Sequence, residues 1–215
     1  MIKAIIFDFD GVFVDSWAFH VDVMLDGCGK LGIETTKEEL TEVFFGKTLK
    51  EATVDFLELK GVEDVSPKEF IQMKLSYDSQ YVDIVPAFKG VVDFVKENKD
   101  KYRMCVASAS RRVLIEPFMK REGILDAFEF VFDADNVTRG KPDPEVYLNA
   151  LKELELEKEE VVIIEDSVKG VQASEAAGIF CIALTQTTPK EKLVEVGADV
   201  VLEDSSHLAE VIRQR

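Results

Sequence analysis

The sequence predicts an α/β fold: a doubly wound, Rossmann-like parallel sheet with an inserted all-helical domain. After Gly90, short apolar runs of strand length alternate with amphipathic segments of helical spacing. Repeated strand-then-helix units of this kind form parallel sheets with right-handed crossovers and helices on both faces. Residues 16–85, in contrast, contain helical patterns only. We therefore expect a Rossmann-like core made of residues 1–15 and 86–215, and a helical insert made of residues 16–85.

The first predicted element is a strand at Ala4–Phe7, an apolar run typical of a parallel strand that is buried on both faces. Asp8 and Asp10 follow where the strand should end, and Gly11 breaks it. The carboxyl edge of an open α/β sheet is where ligands bind. Two carboxylates near a buried edge repel each other, and a bound cation or a shared proton would relieve that repulsion. A polar β-turn with solvated Asp residues is the alternative interpretation.

The insert predicts helices because apolar residues recur at helical spacing and glycines separate the runs. Two helices begin at capping boxes, in which Ser or Thr is followed three residues later by Glu. These boxes are Thr36-Lys37-Glu38-Glu39 and Ser66-Pro67-Lys68-Glu69. The predicted helices lie at 17–28, 36–44, 49–57 and 66–81, and Pro86 marks the return of the chain to the core.

Strands and helices alternate through the rest of the chain. The predicted strands are 104–107, 130–132, 161–164, 180–183 and 200–202. Helices are predicted around 91–95, at 113–122, 146–154 and 168–177, and at the C terminus. A further helix is predicted with Thr188-Pro189-Lys190-Glu191 as its N-terminal cap. This order is that of a parallel sheet in which a helix connects each strand to the next.

Composition and charge restrict the partners that we expect. With 42 acidic against 26 basic residues, the net charge of −16 repels phosphate backbones, so we expect no nucleic-acid partner. No apolar stretch approaches membrane-spanning length and no signal peptide precedes the first strand, so we expect no membrane partner. The three cysteines are an odd number and indicate reduced thiols in a cytoplasmic protein. The oligomeric state stays open.

Three further groups of polar residues lie where the chain leaves the predicted sheet. Ser108-Ala109-Ser110 can present a hydroxyl and backbone N–H groups to an anion, although a helix N-cap is an equally good interpretation. Lys141 stands in a loop that two prolines hold, which favours a fixed ammonium group over a solvated one. Glu165 and Asp166 follow an apolar strand and suggest ligands of a hard cation, with an N-cap role for Asp166 as the alternative.

Together these groups supply a carboxylate nucleophile, a set of Mg²⁺ ligands and donors for phosphate oxygens. In this respect the chain resembles the haloacid dehalogenase superfamily, over nearly its whole length and with the motifs in the family's order. The matching motifs are Asp8-Phe9-Asp10-Gly11-Val12, Ser108, Lys141-Pro142-Asp143-Pro144 and Glu165-Asp166. The helical insert lies where that family has its helical cap.

The resemblance implies a role for each motif residue. Asp8 would attack phosphorus and form an aspartyl-phosphate, and Asp10 would protonate the leaving oxygen and then deprotonate water. Ser108, Ala109 and Lys141 would hold the phosphoryl oxygens. The Mg²⁺ ligands would be Asp8, the main-chain carbonyl of Asp10 and Asp166, with Glu165 nearby. Phosphoryl transfer agrees with such a set, because it needs positioning and charge neutralisation above all.

The expected function is a Mg²⁺-dependent phosphatase of a small phosphorylated metabolite. Asp10 argues against dehalogenation, because the dehalogenases of the superfamily lack this second aspartate. The chain is most similar to the group that contains beta-phosphoglucomutase and phosphoglycolate phosphatase, so a sugar-phosphate mutase is the alternative. Ser108-Ala109-Ser110 and His20 match the mutase, whereas the loop from Phe45 to Leu49 lacks its lysine and arginine.

Three residues are candidates for contact with the substrate: His20, Lys47 and Ser110. An ordinary surface histidine is the alternative interpretation of His20. A phospho-accepting signalling domain is a further, non-enzymatic alternative, since it also combines acidic residues, a hydroxyl residue and a lysine. In such a domain, however, the phospho-accepting aspartate resembles a mid-chain residue and not Asp8, and the helical insert is unexplained.

Overall fold

A computed structural model gives the structure of the chain and describes residues 1–44, 49–77, 83–133 and 136–215. The chain divides into two compact units. The first comprises Met1–Asp15 and Pro86–Arg215, and the second comprises Ser16–Val85.

The first unit is built on a six-stranded sheet in which every neighbouring pair is parallel. Its strands are β1 Ala4–Phe7, β2 Arg103–Ala107, β3 Phe130–Phe132, β4 Val161–Glu165, β5 Phe180–Leu184 and β6 Val200–Leu202. The spatial order is β3-β2-β1-β4-β5-β6. This is the doubly wound order, and it reverses between β1 and β4, so ligands are expected at the carboxyl ends of these two strands.

Helices fill the second unit, as the sequence predicts. Its helices are α1 Ser16–Lys30, α2 Lys37–Phe44, α3 Leu49–Lys60 and α4 Pro67–Leu75. Both predicted capping boxes form: Thr36 pairs reciprocally with Glu39, and Ser66 with Glu69. The unit has a core of its own, in which the Phe44, Phe56 and Phe70 rings are in contact.

The remaining helices connect the strands of the first unit. They are α5 Lys89–Asn98, α6 Arg112–Glu122, α7 Glu145–Leu154, α8 Val168–Ala177, α9 Lys190–Glu195 and α10 Leu208–Gln214. Short 3₁₀ helices lie at Leu125–Ala127, Lys158–Glu160 and Ser205–His207. Among the described residues, no helix combines the length and the apolar composition that crossing a membrane requires.

The sheet of the first unit is covered on both faces, because successive side chains of a strand point to opposite sides. On one face, Ile6 of β1 belongs to a buried apolar cluster with Tyr147 of α7 and Val171 of α8. On the other face, the ring of Phe7 lies 6.3 Å from that of Phe94 of α5. The prediction of an α/β fold with a doubly wound parallel sheet is confirmed.

Two predicted helix ends are wrong. Helix α4 ends at Leu75 and does not continue through Ser76, whose hydroxyl and backbone N–H both donate to the carbonyl of Met73. The predicted end at 81 lies outside the described residues. Helix α9 begins at Lys190 with Pro189 at its N-cap, and no side chain caps it. Thr188 therefore lies one residue too early in the chain to serve as the predicted cap.

Candidate active site

The predicted motifs meet where the order of the sheet reverses. Asp8 directly follows β1, and its backbone N–H donates to the carbonyl of Ile164 in β4 at 2.9 Å. Glu165 is the last residue of β4, and Asp166 follows it. Parallel pairing thus brings these three carboxylates to one edge of the sheet. They are all buried.

Gly11 allows the loop after β1 to approach the loop after β4. Its φ angle is +71°, in the left-handed region that other residues rarely adopt. Its N–H donates to the carbonyl of Val14 at 2.8 Å and closes a tight turn. A Cβ atom at this position would lie only 1.8 Å from an oxygen of Asp166. The motif therefore needs glycine here for both its backbone conformation and its contact.

Lys141 joins two of the acidic residues. Its Nζ donates to Oδ1 of Asp8 at 2.6 Å and to Oε1 of Glu165 at 2.7 Å. The lysine side chain is only 10% exposed, so water screens these ion pairs weakly. When both carboxyl groups are ionised, this group of three carries a net negative charge.

The loop that carries Lys141 is held by the first turn of α7. The Glu145 carboxylate accepts from the N–H and the hydroxyl of Thr138, both at 2.8 Å, and from the N–H of Arg139 at 3.1 Å. Asp143 in turn accepts from the N–H of Glu145 at 3.0 Å. These bonds fix the loop on both sides of Lys141, in addition to the prolines that the sequence indicates.

Both oxygens of Glu165 are surrounded by donors of the protein itself. Oε1 accepts from Lys141 and from the Tyr147 hydroxyl, at 2.7 and 2.8 Å. Oε2 accepts from the N–H groups of Asp166 and Ser167, both at 2.8 Å, and from the Ser167 hydroxyl at 3.0 Å. Gly170 packs so closely that a Cβ there would lie 1.6 Å from Oε1. Glu165 is therefore held rigidly, with no exposed surface.

Asp166 differs from Glu165 because only one of its oxygens is engaged. The Thr187 hydroxyl, from the loop after β5, donates to Oδ2. Oδ1 is buried and has no hydrogen-bond partner among the described residues. A buried carboxylate oxygen without a donor is costly, and a bound cation would satisfy it.

The site has the donor set of a hard cation. Asp8, Glu165 and Asp166 each offer a carboxylate oxygen, and these oxygens lie within 4.8 Å of one another. Mg²⁺ and related cations prefer oxygen ligands of this kind. The three carboxylates, together with the orphaned Oδ1 of Asp166, fit a divalent metal.

Burial and mutual repulsion control ionisation in this cluster. Burial raises the pKa of Asp8 to about 7, although the Lys141 ammonium opposes the shift. Burial also raises the pKa of Asp166 well above its usual range, and the charges of Glu165 and Asp8 raise it further. Glu165 is buried too, but Lys141 and nearby N–H groups hold its pKa below the usual value. Two of the three carboxyl groups thus resist ionisation. A bound divalent cation would favour their ionised forms.

Asp10 lies on the other side of the loop and contacts the segment after β2. The Ser110 hydroxyl donates to Oδ2 of Asp10. The backbone N–H of Ser110 donates to the Ser108 hydroxyl oxygen at 3.1 Å, and the N–H of Ser108 donates to the carbonyl of Phe132 at 3.0 Å. The Ser108 hydroxyl accepts this bond through its oxygen, and its own proton can serve as a donor to an anion.

A cavity of about 210 Å³ lies beside these groups. Its lining residues are Ser108, Ala109, Val137, Thr138, Gly140, Lys141 and Val146. This cavity is therefore lined by all three residues that are predicted to hold phosphoryl oxygens, Ser108, Ala109 and Lys141.

The three residues predicted to contact the substrate lie in different parts of the chain. His20 lies on α1 in the second unit, half-buried, with its ring 5.6 Å from that of Phe19. Lys47 lies outside the described residues. Ser110 lies in the first unit, beside Asp10. Of these three residues, Ser110 lies in the site beside Asp10, and His20 lies in the second unit.

Two residues of the site are missing from the sequence prediction. Tyr147 has the helical spacing of an apolar core residue of α7, yet its hydroxyl donates to Glu165. Thr187 follows β5, the neighbour of β4, and its hydroxyl donates to Asp166. The second could have been found, because polar residues after adjacent parallel strands meet at one edge.

The chain is similar to several known proteins. A family model described as haloacid dehalogenase-like hydrolase matches residues 5–184. A phosphorylated carbohydrates phosphatase of Thermotoga maritima is 28% identical over 218 residues, which cover 99% of this chain and 99% of that protein. A beta-phosphoglucomutase of Bacillus subtilis is 26% identical, with 96% of this chain and 92% of that protein covered.

Two further matches extend the comparison. The protein SUPPRESSOR OF QUENCHING 1, chloroplastic, of Arabidopsis thaliana is 28% identical over 97% of this chain, but the chain spans only 20% of that much longer protein. The crystal structure of a haloacid dehalogenase-like protein of unknown function from Agrobacterium tumefaciens superposes with a TM-score of 0.82. It is 26% identical, and the match covers 100% of this chain and 99% of that one.

Proposed function

The chain belongs to the haloacid dehalogenase-like hydrolase family, and we propose that it is a Mg²⁺-dependent phosphatase of a small phosphorylated metabolite. One observation supports this most directly. The Lys141 ammonium bridges Asp8 and Glu165 beside Asp166, whose Oδ1 lacks a partner, at the edge where the sheet order reverses. The relatives named phosphatases support a phosphoric monoester hydrolase.

In this proposal Asp8 is the nucleophile. A carboxylate oxygen of Asp8 forms a bond to phosphorus, and the bond between phosphorus and the leaving oxygen breaks. Asp10 donates its proton to that leaving oxygen, so that the alcohol departs neutral. The product of this half-reaction is an aspartyl-phosphate on Asp8. The contact between Asp10 and the Ser110 hydroxyl holds the acid next to the phosphate-binding segment.

Water then attacks the phosphorus of the aspartyl-phosphate. Asp10 accepts the proton of that water, the bond between phosphorus and the Asp8 oxygen breaks, and inorganic phosphate leaves. Ser108, the backbone at Ala109 and Lys141 hold the phosphoryl oxygens through both steps, because they border the same cavity. Donors that are fixed before the reaction stabilise the charge that develops on these oxygens.

Mg²⁺ would be held by Asp8 and Asp166, with the main-chain carbonyl of Asp10, and Glu165 would stay nearby as the anchor of Lys141. When bound, it would neutralise the charge of the phosphoryl group during transfer. Support for the protein side of this site comes from the cluster of three buried carboxylates and from the unpartnered oxygen of Asp166.

The substrate class and location follow from separate observations. The name of the Thermotoga maritima relative supports a phosphorylated carbohydrate or a metabolite of similar size. The net charge of −16 argues against a nucleic-acid substrate. A cytoplasmic location is supported by the three cysteines, which are all buried and free, as expected in a reducing compartment.

A sugar-phosphate mutase is the second candidate. It is supported by Ser108-Ala109-Ser110, by His20 and by the relative named beta-phosphoglucomutase. Against it stands the loop in which Phe45 and Leu49 occupy the positions where the mutase has a lysine and an arginine. Arginine grips a phosphate bidentately, and these apolar residues leave a distal phosphate without that partner.

The proposed function is tested by turnover of p-nitrophenyl phosphate. We expect Mg²⁺ to support multiple turnovers, EDTA to stop them, and Asp8→Ala to abolish them. Asp126→Ala, which removes an exposed aspartate paired with Lys99, serves as the matched control and should stay active. If neither this ester nor a panel of sugar phosphates, phosphoglycolate and nucleotides releases phosphate, the proposal is wrong.

The choice between phosphatase and mutase needs its own experiment. The protein is given β-glucose 1-phosphate, Mg²⁺ and a glucose 1,6-bisphosphate primer, and products are followed by ³¹P NMR. We expect inorganic phosphate to accumulate faster than glucose 6-phosphate. The reverse order would establish the mutase.

A further inference from the structure

Tyr147 is a buried core residue that also contacts two charged side chains, Glu165 and Lys141. Its side chain is fully buried on α7 and packs with Ile6 of β1 and Val171 of α8. Phenylalanine would fill the same apolar space without a hydroxyl that must find a partner. Here the hydroxyl donates to Oε1 of Glu165 at 2.8 Å. The polar end of the residue is thus directed into the acidic cluster.

The ring of Tyr147 makes a second contact. Nζ of Lys141 lies 4.7 Å from the ring centroid, within the range of a cation–π interaction. The ammonium group has three protons, and the carboxylates of Asp8 and Glu165 receive two of them. The aromatic ring covers another side of the ammonium. Lys141 is therefore confined by two carboxylates and one ring face.

We propose that Tyr147 is a positioning residue of the phosphoryl-transfer site: its ring fixes the Lys141 ammonium, and its hydroxyl fixes the Glu165 oxygen to which that ammonium binds. This inference rests on the proposed function. Lys141 and Ser108 line the candidate phosphate cavity, whereas Tyr147 is not among its lining residues. It acts through Lys141, whose placement decides how the phosphoryl oxygens are held.

The hydroxyl matters because Oε1 of Glu165 is shared. Lys141 and Tyr147 both donate to this one oxygen, whereas separate backbone and side-chain donors hold Oε2. Without the Tyr147 donor, only Lys141 would balance the charge at Oε1. The ammonium would then be drawn towards Glu165 and away from the phosphoryl position. Small misplacements of a charged group cost much of its effect.

The test compares Tyr147→Phe with Tyr102→Phe. The first variant keeps the ring and removes the hydroxyl, and the second makes the same change at the amino end of β2, far from the site in the sheet. We expect Tyr147→Phe to lower kcat/KM for p-nitrophenyl phosphate about 10-fold or more, as the loss of an outer partner of a catalytic group does. Tyr102→Phe should match the wild type.

A second readout does not depend on turnover. Inorganic phosphate with Mg²⁺ should raise the Tm of the wild type, and the shift should be smaller for Tyr147→Phe, while both proteins unfold at similar temperatures without phosphate. A purely structural role would instead lower the Tm without phosphate and leave the phosphate-dependent shift intact.

The outcomes separate the two claims. Wild-type kcat/KM and a wild-type phosphate shift in Tyr147→Phe would overturn the inference about Tyr147, while leaving the phosphatase proposal in place. A wild-type protein that turns over no phosphate ester would overturn the proposed function instead. Tyr147→Leu, which also removes the ring, should show a larger loss of the phosphate shift than Tyr147→Phe.

Discussion

At the scale of single residues, the site depends on charges that are buried before any ligand binds. Asp8 is the clearest case. Burial raises its pKa to about 7, and Glu165 and Asp10 add to the shift, even though Lys141 lies within hydrogen-bonding distance and opposes it. A carboxyl group of this kind favours the folded state when it is protonated and disfavours it when it is ionised.

The pH dependence of stability follows from this shift. The folded-state pKa of Asp8 lies above its ordinary value of 3.8, so its contribution to stability is present below that value and is lost as the pH rises through about 7. In EDTA, the stability of Asp8→Asn relative to the wild type should therefore increase between pH ~5 and ~8 by about 3 kcal/mol, at roughly 1.4 kcal/mol per pKa unit.

The measurement is the free energy of unfolding in urea at both pH values. Asp126→Asn is the control, because Asp126 is exposed and Lys99 lowers its pKa. An Asp8→Asn variant whose difference from the wild type is the same at both pH values would show that Asp8 is not protonated more readily in the folded state.

At the scale of secondary-structure elements, the loops after adjacent strands build the site. The segments after β1, β2 and β4 contribute Asp8, Ser108 and Asp166, and the loop after β5 contributes Thr187. Thr187 occupies one oxygen of Asp166, and the other oxygen stays unpartnered among the described residues. The loop after β5 thus decides which oxygen of Asp166 is available to a cation.

This gives a prediction about metal affinity. Thr187→Val keeps the shape of the side chain and removes the hydroxyl, so the Asp166 carboxylate loses its outer partner. We expect the Mg²⁺ concentration for half-maximal activity to rise about 10-fold or more. Thr185→Val is the matched control on the same loop, since the Thr185 hydroxyl bonds to the carbonyl of Glu203 instead.

Two measurements check this prediction. The Mg²⁺-dependent rise in Tm reports binding without turnover, and the activity titration reports it with turnover. Equal Mg²⁺ dependence in the Thr187→Val and Thr185→Val variants would contradict the role of Thr187.

The secondary-structure elements and the motif residues could be predicted from the sequence for a physical reason. Strand β1 is an unbroken apolar run with an acidic end, so both its bounds and its exit could be predicted. Polar residues that end parallel strands must share an edge, so Asp8, Ser108 and Glu165 could be expected together. Tyr147 could not be identified in this way, because a buried tyrosine has the helical spacing of a core residue whether or not its hydroxyl has a partner.

At the scale of the whole molecule, the net negative charge of the chain opposes the attraction of an anion to the site. The chain has a net charge of −16, whereas the proposed phosphate-binding groups include the ammonium of Lys141, whose side chain is only 10% exposed. The overall field repels an anionic substrate on approach. The buried ion pairs of the site are screened by salt much less than the exposed charges are.

The rate should therefore respond to salt. At fixed Mg²⁺, we expect kcat/KM for p-nitrophenyl phosphate to rise about twofold as KCl increases from ~20 to ~200 mM, because salt screens the long-range repulsion. Initial rates over this range provide the measurement. A severalfold fall would indicate that the substrate is attracted by exposed positive charge, contrary to this view of the molecule.

The most direct test of the central claim is chemical trapping at Asp8. In the proposed mechanism, the Asp10→Asn variant lacks the base that activates water, so reaction with p-nitrophenyl phosphate and Mg²⁺ should leave it phosphorylated. Borohydride reduces an acyl phosphate to the alcohol, and peptide mass spectrometry locates the product. We expect homoserine at position 8 and unmodified asparagine at position 10. Release of p-nitrophenol without a reduced residue, or with reduction at another carboxyl group, would contradict the assignment of Asp8 as the nucleophile.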